Sequence, residues 1–180
     1  MPQASSAGES LTHIATAFLD SSFIADLLFE DAKFYDSANR LMRRFEASRR
    51  QADIRLCVST RVVDEVLWIA RVFLFDGDHG PGSWAALSPR GREEAWISYS
   101  EEIADLGRVL LSPDAPWEVL SVTIDDLGLA VSAMQSHSLQ PADASHYAVA
   151  CRNCNGCIVT NDRHFRQISE LDVIRYDAGD

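Results

Sequence analysis

Four acidic residues stand where their carboxylates could share one site. Asp20 ends the apolar run IATAFLD, and Asp162 follows the apolar run CIVTN. Glu65 and Asp143 each lie in the first two turns of a segment with helical spacing. Carboxylates gathered at one edge of a protein repel each other unless a cation lies among them. The set Asp20, Glu65, Asp143 and Asp162 therefore predicts a divalent-metal site.

Alternating strand and helix patterns must position these acids. Short apolar runs predict strands at residues 14–20, 54–59, 117–122 and 157–161, and VIRY near the end predicts a fifth at the edge. Helical spacing lies between them. The predicted helices cover residues 23–28, 33–50, 89–111, 124–136 and 141–153, a further helix capped at Ser59 or Thr60 holds residues 62–73, and a loop is predicted at 76–88. Strands separated by helices pair in parallel, with helices on both faces. We expect an α/β protein, a three-layer α/β/α sandwich with a central parallel sheet of four to five strands.

This topology brings the acids to one edge of the sheet, because ligands bind outside the carboxyl ends of parallel strands. Asp20 and Asp162 lie at or just past the carboxyl ends of their strands. The helix that carries Asp143 runs antiparallel to the strand after it, so its first turn returns to the same edge. Glu65 lies roughly 40° from the apolar arc of its helix, whereas Asp64 points further toward solvent.

Each acid also has a purely structural interpretation. Asp20 could cap the helix that follows it, and Asp143 and Asp162 could each favour the positive end of a helix. Glu65 could be an ordinary surface residue. A common location on one edge makes four independent structural roles a poorer explanation of the set than one shared site.

The composition fits one globular domain. The chain has 180 residues, of which 47% are apolar. The first ten residues, MPQASSAGES, are small and polar and lack the pattern of a signal peptide. We therefore expect a disordered tail at residues 1–11, followed by a single domain at residues 12–180 in the cytoplasm. The longest apolar segment, VVDEVLWIARVFLF, is interrupted by charges and shorter than the roughly 20 residues that cross a bilayer, so we expect no membrane partner.

The balance of charge limits how the chain could bind nucleic acid. A net charge of −11 argues against broad, nonspecific adhesion, which requires clustered Lys and Arg. Locally, five arginines fall within residues 40–50 and form either a basic patch for nucleic acid or a solvated helix face; they are Arg40, Arg43, Arg44, Arg49 and Arg50.

Four segments carry a family resemblance: FLDSSFIADLL, VSTRVVDEV, LQPADASHYAVA and IVTNDRHF. In order and spacing the chain resembles the PIN-domain ribonucleases, especially the VapC-type toxins of bacterial toxin–antitoxin pairs. The resemblance implies catalytic and metal-binding roles for the four acids and a supporting hydroxyl on Thr160. The chain looks longer than typical toxins, with an enlarged helical segment at about residues 76–111.

The resemblance also implies an activity and partners. Carboxylate oxygens select Mg²⁺ or Mn²⁺, and the expected reaction is hydrolysis of an RNA phosphodiester by an endoribonuclease. A small antitoxin protein and a homodimer are expected, the dimer also because the first two helices are rich in aromatic and aliphatic residues. The alternatives are a catalytically inactive PIN-like binding scaffold and a housekeeping RNA-processing nuclease.

Two other folds that cluster acids at a parallel-sheet edge fit poorly. A response-regulator receiver domain needs a lysine at that edge, and the chain's one lysine is Lys33. A haloacid-dehalogenase phosphatase would have a second aspartate two residues after Asp20, where Ser22 stands.

Cysteines and histidines complete the candidate ligands. Cys151, Cys154 and Cys157 have metal-like spacing, but packed thiols are the favoured interpretation because the fourth cysteine belongs to another strand. His146 and His164 lie near the proposed acids, and we interpret both as packed or solvated residues outside the site.

Overall fold

The structure, a computed structural model, describes residues 11–50 and 52–177. Residues 1–10 of the predicted tail lie outside the described residues, and Leu11 is buried at the start of a short 3-10 helix, Leu11–His13. Within the described ranges, no helix is both long enough and apolar enough to cross a membrane.

The strands form one parallel sheet in the order β3-β2-β1-β4-β5. Its central strand, β1, is short and apolar, and three of its four residues are buried. The predicted parallel topology, with a fifth strand at one edge, is confirmed. The strands are β1 (Thr16–Leu19), β2 (Arg55–Ser59), β3 (Glu118–Leu120), β4 (Cys157–Val159) and β5 (Asp172–Ile174).

Helices connect these strands in the three-layer α/β/α fold that the alternation predicted. They are α1 (Ser21–Leu28), α2 (Tyr35–Arg49), α3 (Thr60–His79), α4 (Ser83–Ala86), α5 (Pro89–Ser98), α6 (Ser100–Leu110), α7 (Ile124–His137) and α8 (Pro141–Asn153). A 3-10 helix, Phe165–Gln167, lies between β4 and β5.

Contacts within the described chain group it into two compact units. One comprises the residues up to Val62 together with those from Pro116 onward, and it contains the whole sheet. The other is Val63–Ala115, which holds most of the enlarged helical segment. The single domain expected from the sequence stays a prediction.

Two predicted boundaries in the second unit are wrong. The predicted loop at residues 76–88 contains the last turn of α3 and all of α4. The Asp76 carboxylate stabilises this bend, because it accepts hydrogen bonds from the backbone N–H groups of Gly82 at 3.0 Å and Trp84 at 2.7 Å. The predicted helix at 89–111 is two helices that break at Tyr99, whose hydroxyl donates to Asp78 at 2.6 Å.

An ion pair between Arg152 and Asp126 holds α7 and α8 antiparallel. The predicted capping box at the start of α7 is confirmed, because the side chains of Thr123 and Asp126 each accept a hydrogen bond from the other residue's backbone N–H. Arg152, in the last turn of α8, donates to the buried Asp126 carboxylate at 2.8 Å and to the Thr123 hydroxyl at 2.9 Å. The start of α7 is thereby tied to the end of α8, so the end of α7 returns to the start of α8.

The four cysteines are free thiols. Cys57 on β2 and Cys154 at the end of α8 are buried, and their thiols are hydrogen-bonded to each other across the sheet–helix boundary. Burial raises the pKa of Cys157, at the start of β4, to about 12. These contacts are those of packed thiols.

The turn from α8 into β4 generates a stability prediction. Gly156 has φ +79, and a Cβ there would lie 2.5 Å from the backbone oxygen of Glu170. Gly156→Ala should therefore lower the free energy of unfolding by about 2 kcal/mol or more. The matched control is Gly128→Ala in α7, where nothing lies within 4 Å of the added Cβ.

Urea denaturation measures both variants. Gly128→Ala should stabilise the chain by about 0.5–1 kcal/mol, because alanine is the better helix former. Equal stability of the two variants would show that the α8–β4 turn tolerates a side chain.

Candidate metal centre

Asp20 is the most buried of the proposed acids. It follows β1 directly and is 4% exposed. It stands at the N-cap position of α1, yet its side chain makes no capping hydrogen bond. Instead, Oδ2 accepts hydrogen bonds from the hydroxyls of Ser22 and Thr160, each at 2.8 Å. The interpretation of Asp20 as a simple helix cap is therefore wrong, because its carboxylate is oriented toward the loop after β4.

That loop places Asp162 beside Asp20. The buried Thr160 hydroxyl donates to Asp20 and accepts a 3.0 Å hydrogen bond from the backbone N–H of Asp162. Asn161 holds the loop to the segment after β5, because its Oδ1 accepts hydrogen bonds from the backbone N–H groups of Tyr176 and Asp177 at 3.1 and 3.0 Å. One hydroxyl thus links two of the proposed acids, and the following residue anchors the loop to the segment after β5.

Asp143, in the first turn of α8, completes a group with Asp162 and His164. Among the residues that the structure describes, these three offer ligand atoms that lie within 4.8 Å of one another. His164 Nδ1 is 3.2 Å from Asp162 Oδ1 and 3.6 Å from Asp143 Oδ2. The backbone N–H of His164 also donates to Asp162 Oδ1 at 2.8 Å, which holds the histidine against the acids.

The pKa of Asp143 is shifted by its burial and by the charges of its neighbours. It is raised above its ordinary value by burial first, and then by the negative charges of Asp162 and Asp20. His146 and His164 oppose the shift and do not cancel it. The site thus brings three carboxylates together with an uncompensated excess of negative charge.

Glu65 belongs to the second compact unit, on α3, and is half-buried. The angular argument that separated it from Asp64 agrees with their exposure, since Asp64 is exposed. The role of Glu65 in the site stays a prediction.

Two histidines that the sequence interpretation left out contact the acids. His164 belongs to the candidate ligand group, and the buried His146 places Nε2 3.7 Å from Asp20 Oδ1. The sequence feature that could have identified His164 as a candidate ligand is its position two residues after Asp162, in the same turn. His146 stands three residues after Asp143 on one face of α8, a spacing equally typical of a packed residue.

The donor set fits a divalent cation. Carboxylate oxygens are the ligands that Mg²⁺ and Mn²⁺ prefer, and an imidazole nitrogen lies within reach of two of them. Burial raises the pKa of Asp143 most, and the charges of Asp162 and Asp20 raise it further; a cation among the three carboxylates would relieve this second contribution.

Residues 17–171 match the family model of the PIN domain. The chain belongs to the PIN domain family.

Solved structures show the same fold. The crystal structure of VapC20 from Mycobacterium tuberculosis, described as a sarcin–ricin loop cleaving toxin, is 20% identical with a TM-score of 0.55. The match covers 88% of this chain and 98% of that one. VapBC2 from Rickettsia felis, bound to a DNA fragment from its promoter, is 12% identical with a TM-score of 0.51, over 90% of this chain and 99% of that one. Comparison with curated protein sequences yields no match.

The raised pKa of Asp143 predicts how stability depends on pH and metal. A carboxyl whose folded pKa exceeds its unfolded value binds more protons when folded, so stability falls as pH rises from about 4 through the folded pKa. In chelator at neutral pH, Asp143→Asn should therefore melt at a higher temperature than the wild type.

Mn²⁺ should act against this difference in melting temperature. It should raise the melting temperature of the wild type more than that of Asp143→Asn, because a ligand that binds only the folded state stabilises it by mass action. Thermal melts with chelator and with Mn²⁺ measure both effects. Destabilisation of the metal-free chain by Asp143→Asn, with an equal Mn²⁺ shift in both proteins, would show that the acids do not form one site.

Proposed function

We propose that the chain is an endoribonuclease that hydrolyses RNA phosphodiester bonds with Mg²⁺ or Mn²⁺. The observation that carries the proposal is the convergence of Asp20, Asp143 and Asp162, from three distant segments, at one sheet edge with a raised pKa at Asp143. Membership of the PIN domain family supports it. The similar structure described as a sarcin–ricin loop cleaving toxin supports RNA as the substrate class.

The residues of the chain have distinct tasks in this proposal. Asp20, Asp143 and Asp162 would hold the ion, with Glu65 as the fourth carboxylate. Thr160 is the supporting residue, because its hydroxyl fixes Asp20 and the Asp162 loop in one arrangement. When bound, the ion supplies activation of water and neutralisation of phosphate charge.

The acidic chain needs this arrangement to approach RNA. With a net charge of −11 it cannot rely on a broad basic surface. A cation among the carboxylates inverts the local charge, so the phosphate is attracted to the edge that would otherwise repel it.

Cleavage assays test the proposal. Asp20→Asn and Asp143→Asn should each lower Mn²⁺-dependent RNA cleavage by at least about a hundredfold, since each substitution removes a charged ligand and keeps the side chain's shape. Asp53→Asn, an exposed aspartate before β2, is the matched control and should cleave at the wild-type rate.

The same assay includes the fourth acid. Glu65→Gln should lower the rate, whereas Asp64→Asn on the exposed side of α3 should not. Cleavage that resists chelator and all the acid substitutions would refute the metal assignment, and a well-folded wild type that cleaves no RNA would support the inactive binding scaffold.

A toxin role with a small antitoxin is the second part of the proposal. It is supported by the likeness to VapC20, described as a toxin, and to VapBC2. A cytoplasmic location would place such an enzyme with its RNA. A housekeeping nuclease would instead act without a neighbouring antitoxin gene.

The homodimer expected from the sequence would need an exposed apolar surface as its interface. The apolar side chains of α1 and α2 that motivated it include buried core residues, such as Phe23 and Phe45. The α7 stripe, Ile124, Leu127 and Val131, is the better surface, since its residues share one face and are 81%, 47% and 54% exposed.

Substitution in the α7 stripe tests the dimer. Val131→Glu should shift the chain from dimer to monomer, because a buried unpaired charge costs several kcal/mol at an interface. Leu111→Glu is the matched control, at a side chain of similar exposure in the second unit. Sedimentation velocity measures both, and a monomeric wild type or a dimeric Val131→Glu would contradict the assignment.

A further inference from the structure

A polar cleft of about 410 Å³ opens beside the acid cluster. Its volume falls in the range of roughly 300–1,000 Å³ that is usual for small-ligand sites. It lies between the end of α7 and the 3-10 helix that follows β4. The lining residues are Ser136, His137, Ser138, His164, Gln167 and Ile168.

The antiparallel packing of α7 and α8 explains why the cleft adjoins the acids. Arg152 locks the end of α8 to the start of α7, so His137 at the end of α7 returns to the helix start that carries Asp143. Ser138 turns the chain between the two helices with φ 56. His164 belongs to both the cleft and the acid cluster, because it lines the cleft and its Nδ1 lies 3.6 Å from Asp143 Oδ2.

The lining offers ring faces and neutral hydrogen-bonding groups. The His137 ring packs against Tyr147 with centroids 5.3 Å apart and an interplanar angle of 53°, which restricts its orientation. Ser136 Oγ donates to the backbone oxygen of Ser132 at 3.0 Å, and its oxygen can still accept a hydrogen bond. The exposed Gln167 amide offers both a donor and an acceptor.

This chemistry matches a nucleobase better than a phosphate or a protein anchor. None of the six lining residues is Lys or Arg, so the cleft has no fixed cation for a phosphate. Ile168 is the one apolar residue among the six, whereas anchors of protein partners need apolar pockets. Unpaired bases of RNA stack on aromatic rings, including histidine, and expose edges to neutral donors and acceptors.

We propose that this cleft binds the base of an unpaired nucleotide adjacent to the phosphodiester that lies at the acid cluster. His137 provides the stacking face, and Gln167 contacts the edge of the base. The inference rests on the proposed function, since it states where the RNA substrate lies relative to the carboxylates, and it makes the cleft a determinant of which RNA is cut.

Binding to RNA without cleavage tests the cleft. The probe is a fluorescein-labelled single-stranded oligoribonucleotide of about eight nucleotides and mixed sequence, followed by anisotropy in Mg²⁺. All proteins carry Asp143→Asn to slow cleavage. Adding His137→Ala should raise the Kd about tenfold, the usual effect of losing one base–aromatic contact, whereas His137→Phe should keep most of the affinity.

A second pair of variants avoids the packed histidine. Gln167→Glu keeps the size of an exposed side chain and adds a negative charge in the cleft, so it should also weaken binding. Gln135→Glu is the matched control: it adds the same charge on the exposed side of α7, outside the lining residues, and should bind as its parent does. Melting temperatures verify that each variant is folded.

The outcomes separate this inference from the proposed function. Parental affinity in both His137→Ala and Gln167→Glu would overturn the cleft assignment, even if the wild type cleaves RNA with Mn²⁺. Loss of oligonucleotide binding in those variants, with a wild type that cleaves no RNA, would uphold the cleft and refute the nuclease. Unchanged RNA binding together with loss of a co-expressed neighbouring protein would assign the cleft to that protein and overturn the proposal.

Discussion

Mutual repulsion among the carboxylates at the sheet edge is the constraint on which the site depends. Burial removes the water that would screen these charges, and Asp162 and Asp20 add their negative potential, so Asp143 holds its proton to a higher pH than an ordinary aspartate. A fold without a use for this charge would be more stable with neutral side chains here. The concentration of acids therefore supports the proposed metal site, and the surrounding structure must hold these residues in place.

The surrounding structure holds them through hydrogen bonds of the neighbouring segments. Thr160 links Asp20 to the backbone of Asp162, and Ser22 donates to the same Asp20 oxygen. Asp143 is placed by a different mechanism, the ion pair between Arg152 and the buried Asp126 that sets α7 against α8. The two mechanisms meet at His164, which contacts both Asp143 and Asp162.

Features that depend on local sequence could be predicted. The capping box of Thr123 and Asp126 and the start of α8 at Pro141 need only residues within one turn, and the parallel sheet follows from the alternation of apolar runs with helical segments. The arrival of Asp20, Asp143 and Asp162 at one edge could be predicted for the same reason, because topology alone determines it.

Features that depend on tertiary contacts could not be predicted. The break between α5 and α6 accompanies a hydrogen bond from Tyr99 to Asp78, twenty-one residues away in sequence, and propensity alone favours one continuous helix. Asp20 has the sequence position of a helix cap, and only the arrangement of Thr160 and Ser22 shows that its carboxylate is used elsewhere. The contact of His164 with Asp143 likewise requires the fold of the loop after β4.

Calorimetric titration with Mn²⁺ tests most directly whether the acids form one metal site. Performed in two buffers of different ionisation enthalpy and across a range of pH, it gives both the affinity and the number of protons released on binding. We expect saturable binding that releases protons while the pH is low enough for Asp143 to keep part of its proton, and fewer protons as the pH rises. Asp143→Asn should release fewer at the low end of the range. No saturable binding, or proton release that is the same at every pH and in the variant, would contradict the account.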